Sequence, residues 1–140
     1  MRYFSLTFGL FFVLSCSKVP TDDTPLVQSQ GTSVTFNVNM SYQIEIGSFD
    51  PEINFLDVAG SFNDWCEPCN DHILVLTDNS IYSITLDNLA SGEQIQFKFR
   101  VDGDWSKGEF PGLNNNRSYT VLNGNNILDL DGNQIINYGL

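Results

Sequence analysis

The chain is poor in the residues on which most enzyme chemistry depends. It has one histidine, three cysteines, and 6 lysines and arginines against 17 aspartates and glutamates, for a formal net charge of −11. With His72 as the sole imidazole there is no Ser/His/Asp set for nucleophilic hydrolysis. Cys66, Cys69 and His72 supply three zinc ligands where a structural site needs four, so Asp71 would have to complete it, and no metal site is expected. No cysteine stands next to a histidine, which removes the usual haem attachment signature. The few cations are nowhere clustered, so no field attracts a phosphate backbone and nucleic acid is not an expected partner. Long apolar runs are missing too. The longest uncharged apolar stretch, Tyr3 to Leu14, falls short of the roughly 20 residues that span a bilayer.

That stretch has the length of a secretory h-region. It follows Met1-Arg2 and ends Val13-Leu14-Ser15-Cys16, which resembles a bacterial lipobox. The expectation is a signal peptide over 1–15, with Cys16 lipidated as the first mature residue. Residues 16–32 are rich in Ser, Thr, Pro, Asp and Gln and read as a flexible tether. The remaining length suits one domain.

From Ser33 the apolar period is two. Val34, Phe36, Val38 and Met40 alternate with Thr35, Asn37 and Asn39, and Ile44 and Ile46 extend the same strand pattern. Further strands are predicted over 55–60, 73–76, 81–86, 94–101 and 118–122, with turn signals at Asp78-Asn79, Ser91-Gly92 and Asp102-Gly103. The clearest strand points Ile95, Phe97, Phe99 and Val101 one way and Gln94, Gln96, Lys98 and Arg100 the other. No segment has a 3.6-residue period. The fold class expected is all-β, an antiparallel β-sandwich over 33–122. The tail 123–140 is placed only as a candidate edge strand.

Two tryptophans stand just beyond alternating segments, in Gly60-Ser61-Phe62-Asn63-Asp64-Trp65 and in Phe97-Lys98-Phe99-Arg100-Val101-Asp102-Gly103-Asp104-Trp105. An indole at a strand end fills no core position. Two of them with Lys98 between would form an apolar platform with a polar anchor, the surface on which a sugar ring packs its C–H face. These runs resemble the glycogen-binding domain of the AMP-activated kinase β subunit and of branching and debranching enzymes, and more closely the versions carried by exported proteins of Bacteroidetes-type bacteria. The resemblance covers roughly residues 55–121. It implies an early-set, immunoglobulin-like sandwich that binds an α-1,4-glucan without catalysis or cofactor. Carried over position by position, it implies carbohydrate contacts from Trp65, Lys98, Trp105 and Asn116, with Asn115 as the alternative to Asn116, and Leu113 as a prop for the sugar. One departure stands out: Cys66 and Cys69 follow Trp65 where the family has a polar loop.

Trp65-Cys66-Glu67-Pro68-Cys69 resembles a thioredoxin centre on its face. That chemistry needs a helix after the first cysteine, whereas turn and strand residues follow here. A short-loop disulfide is the expected state. Asp129-Leu130-Asp131-Gly132-Asn133 lacks the acidic positions of a complete calcium loop, and no carboxylate pair stands out for glycoside hydrolysis. The reading is therefore a lipid-anchored glucan-binding module of the bacterial outer membrane, facing the periplasm or the cell surface. The alternative is a structural or protein-interaction module of a surface complex, offering partner proteins a sheet edge.

Overall fold

The computed structural model describes residues 31–110 and 115–135. The proposed signal peptide, Cys16, most of the tether and Leu113 lie outside the described residues. The described residues form seven strands: β1 (Ser33–Asn39), β2 (Leu56–Gly60), β3 (Ile73–Asp78), β4 (Ile81–Asp87), β5 (Gln94–Val101), β6 (Arg117–Thr120) and β7 (Asn125–Asp131). The class is all-β, as expected. The strands make one sheet in the order β6-β5-β2-β3-β4-β1-β7, curled into a half-barrel.

The curl turns on β3. Its first residues pair with β2 (Leu56 opposite Leu74), and its later ones pair with β4 (Leu76 opposite Tyr82) before a register shift at Asp78. A strand that changes partner part-way brings the two halves of a sheet face to face. Phe36 of β1 accordingly meets Phe97 of β5 with ring centroids 4.5 Å apart, and Phe99 edge-on at 5.7 Å. Val34, Val38, Met40, Leu56, Val58, Ile95 and Val101 pack in the same core. Each large apolar side chain buried there contributes about 1.5–3 kcal/mol, and the strict alternation along β1 and β5 is what collects them on one face.

The structure departs from the sequence reading at several points. Ile44 and Ile46 do not extend β1. Residues Ser41–Glu45 form a single helical turn, α1, pinned because the buried Gln43 donates from Nε2 to the Gly132 carbonyl at 3.1 Å. The sheet is not wholly antiparallel either, since β7 runs parallel to β1 along its full length, from Ser33 opposite Asn125 to Asn39 opposite Asp131. The tail is thereby part of the sheet, and its Ile135 is buried in the core. Asn126 locks the arrival of β7: its amide donates to the carbonyls of Ser33, Leu122 and Gly124, and its oxygen accepts from the Tyr119 hydroxyl. Finally, the strand expected over 118–122 is Arg117–Thr120.

Candidate functional site

The site lies on the face of β2 and β5 that points away from the core. Strand β2 ends at Gly60, where close packing excludes a side chain: a Cβ would sit 2.5 Å from the Gln96 carbonyl oxygen. Asn63 then ties the turn back, accepting from the Gly60 amide at 2.8 Å and donating to the Val58 carbonyl at 3.0 Å. Asp64 and Trp65 both take left-handed backbone conformations, φ 52° and 54°. Consecutive positive φ values are uncommon without glycine and cluster where a side chain must be aimed. Here they set the Trp65 indole over the sheet.

The second indole arrives by a different route. Asp102 and Gly103 turn the chain with φ 57° and 69°, as the Asp-Gly signal predicts. Asp104 caps the following 3-10 turn by accepting from the Ser106 amide at 2.8 Å. Trp105 opens that turn, and its ring centroid lies 6.3 Å from that of Trp65, the planes inclined at 43°. Trp65 is half-buried, whereas Trp105 keeps 40% of its surface open. The two form a shallow V.

Beneath Trp105 lies Arg100, its guanidinium carbon 4.2 Å from the ring centroid. Arg100 is fully buried and pairs bidentately with Asp57 directly across the β2–β5 register, at 3.1 Å from Nε and 2.5 Å from Nη2. Nη2 also donates to the Cys66 carbonyl at 3.1 Å. Among the described residues Nη1 has no hydrogen-bond partner, and the indole face offers the electrostatic compensation. Burial pushes the Asp57 carboxyl above its ordinary value, opposed by the Arg100 hydrogen bonds and charge. One arginine thus joins the sheet, the cysteine loop and the upper indole.

The Cys66–Cys69 disulfide is formed, with Cα atoms 5.1 Å apart. A 3-10 turn over Asn70–His72 follows and leads straight into β3, so no helix stands behind these sulfurs to support thioredoxin-like chemistry. The loop places Glu67 beside the platform, where its Oε2 accepts from Trp105 Nε1 at 2.9 Å. Among the described residues no group of three or more metal-ligating side chains occurs.

Lys98 projects to the same side as Arg100, as the alternation predicts, but that side is roofed and not open to solvent. The residue is 6% exposed and its ammonium donates to the Phe110 carbonyl at 2.8 Å. Burial lowers its affinity for a proton, against the opposing charge of Glu109. Lys98 therefore serves the segment after Trp105 and is not displayed as a polar anchor for a ligand. Asn116 donates to Gln96 Oε1 at 3.1 Å, farther along the same face of β5, while Asn115 is exposed. The structure thus brings Trp65 and Trp105 together, places Lys98 beneath the roof, and ties Asn116 to the strand.

No protein-family model matches the chain, and no curated protein matches it.

Three residues of the site escaped the sequence reading. Asp57 stands inside the apolar run Phe55-Leu56-Asp57-Val58-Ala59, and a carboxylate in such a run signals a buried partner. Arg100 is that partner, and Glu67 lay hidden within a cysteine motif. Glu109 is a further charge nearby, and it is buried. It receives Arg117 Nη2 at 2.7 Å and the Phe99 amide at 3.1 Å, and burial raises its carboxyl, with Arg117 opposing. A broader groove of about 670 Å³ lies away from the indoles, on the outer face of β4, β1 and β7, lined by Asn37, Asn39, Tyr42 and Asp129 among others. Its Asn37 and Asp129 already bond each other at 2.9 Å. It has no aromatic pair, so the V of indoles is the better candidate.

Proposed function

We propose that this chain is an early-set, immunoglobulin-like β-sandwich module that binds an α-1,4-glucan without catalysis, held on the bacterial outer membrane by a lipid at Cys16. The observation that carries the reading is the pairing of Trp65 and Trp105 on one side of the sheet, 6.3 Å apart, with Trp105 open. Two inclined indoles match the curved apolar flank of consecutive glucose rings better than they match a flat protein surface. The inner face of Trp105 is occupied by Arg100, so a sugar would take its outer face. A shallow, wet contact of this size implies a dissociation constant on the order of 10–1000 μM, and display of many copies on a membrane would raise the effective affinity.

Isothermal titration with maltoheptaose tests it. Wild type should give heat, and Trp65→Ala or Trp105→Ala should abolish it with the far-ultraviolet circular dichroism unchanged. Absence of heat with every α-glucan tried would overturn the reading in favour of a structural module. The anchor is tested separately: a clickable fatty acid should label wild type and not Cys16→Ser.

A further inference from the structure

Resting on the glucan reading, we infer that Glu67, carried by the disulfide loop, is the polar recognition residue of the platform and restricts it to neutral glycans. The loop Cys66-Glu67-Pro68-Cys69 is closed at both ends, by its own disulfide and by the Arg100 bond to the Cys66 carbonyl. A side chain on so short a ring has little freedom, and Glu67 uses one carboxylate oxygen to hold Trp105 Nε1 at 2.9 Å. The residue is exposed, and among the described residues no group donates to its other oxygen, Oε1. A carboxylate accepts several hydrogen bonds and donates none, and its bonds to hydroxyls are roughly twice as strong as neutral ones. Oε1 therefore stands beside the indole pair as a ready acceptor for the hydroxyls of a ring lying on Trp105.

The charges around it decide which ring. Among the described residues, each cation near the platform has a partner of its own. Arg100 is paired with Asp57, Lys98 donates to Phe110, and Lys107 bonds Asp102 at 2.8 Å. The exposed charge bonded to the indole pair is that of Glu67, on a chain of net charge −11. A glycan bearing carboxylates or sulfates would be repelled there, whereas a neutral, hydroxyl-rich one is accepted.

Titration of the full mature chain with maltoheptaose and with oligogalacturonate tests this. Wild type should bind the first and not the second. Glu67→Gln keeps an oxygen for Trp105 Nε1 but loses the charge, so maltoheptaose should weaken on the order of tenfold, the factor of one charge-assisted hydrogen bond. Cys66→Ser/Cys69→Ser should cost a similar factor, and adding Glu67→Ala to it should cost little more, because the disulfide acts through Glu67. Undiminished binding by Glu67→Gln, or equal binding of the two oligosaccharides by wild type, would overturn the inference while leaving the indole platform standing. A wild type that binds neither would overturn both.

Discussion

The outer face of the sheet is built in two contrasting ways. Over β2 and β5 it is roofed and ionic: Asp57, Arg100 and Glu109 are at most 1% exposed, and Lys98 is 6% exposed. Over β3, β4, β1 and β7 it is largely open and, among the described residues, carries no ion pair. There Thr77 meets Ser83 at 3.0 Å, Ser83 donates to Asn37 at 2.7 Å, and Asn37 donates to Asp129 at 2.9 Å. Thr35 and Thr85 bond across the β1–β4 register at 2.8 Å. Both faces satisfy the same alternation. What separates them is cover: a charge can be placed under a roof only with its partner, whereas hydroxyls and amides on an open face can exchange with water. The indoles belong to the roofed half because a fixed platform needs a rigid foundation.

The contrast can be broken most strongly at its ionic end. Asp57→Ala leaves the Arg100 guanidinium buried and unpaired, and should lower stability by about 3–5 kcal/mol in urea unfolding. Replacing both partners with apolar residues, Asp57→Leu with Arg100→Met, should recover most of that loss but release Trp105, visible as a change in its fluorescence. A recovered fold with an unchanged indole signal would show that Arg100 does not set the platform.

A smaller effect should follow from pH. Burial raises the carboxyls of Asp57 and Glu109 above their ordinary values of 3.8 and 4.5. The folded state then holds those protons more tightly than the unfolded chain. The resulting stability is full below the ordinary values and is lost as pH rises through the folded ones. Acidification also relieves the self-repulsion of a strongly negative chain. The melting temperature should therefore fall as pH is raised from the ordinary carboxyl values of 3.8 and 4.5 toward neutrality, by roughly 4–8 °C for each 1 kcal/mol lost. A melting temperature that instead rises with pH over that interval would mean that the ion pairs, and not their burial, dominate.

The least effect is expected on the open face. Thr35→Ala should cost roughly 0.2–1 kcal/mol, the scale of one cross-strand pair. A loss as large as that of Asp57→Ala would erase the distinction between the two faces.

The same difference in cover explains what could be read in advance. Strand β5 was legible residue by residue because Ile95, Phe97, Phe99 and Val101 alternate without interruption, and the cysteine pair was legible from its spacing. The side to which Lys98 and Arg100 point was legible as well, but alternation reports direction and is silent about what lies above. The roof comes from the cysteine loop, distant in the chain, and from residues 105–110, which fold back over β5, and only tertiary contact reveals it. Helix α1 is not legible in the same way, because two isoleucines two apart look like a strand and its pinning by Gly132 comes from far along the sequence. Strand β7 was illegible as a partner because its parallel pairing requires the free edge of β1, more than eighty residues away.

That last pairing bears on how the chain must be made. Among the described strands β1 is synthesised first, and the neighbour on one of its sides last. Until Asn125–Asp131 has emerged, Val34, Phe36 and Val38 belong to a strand with an open edge, the kind of template that recruits other chains. Contacts this distant in sequence form slowly. The finished molecule replaces that edge with one carrying Asp129 and Asp131, whose charges discourage another strand from docking. A chain cut short before Asn125 would carry nearly all of the core and yet be the form most prone to aggregate.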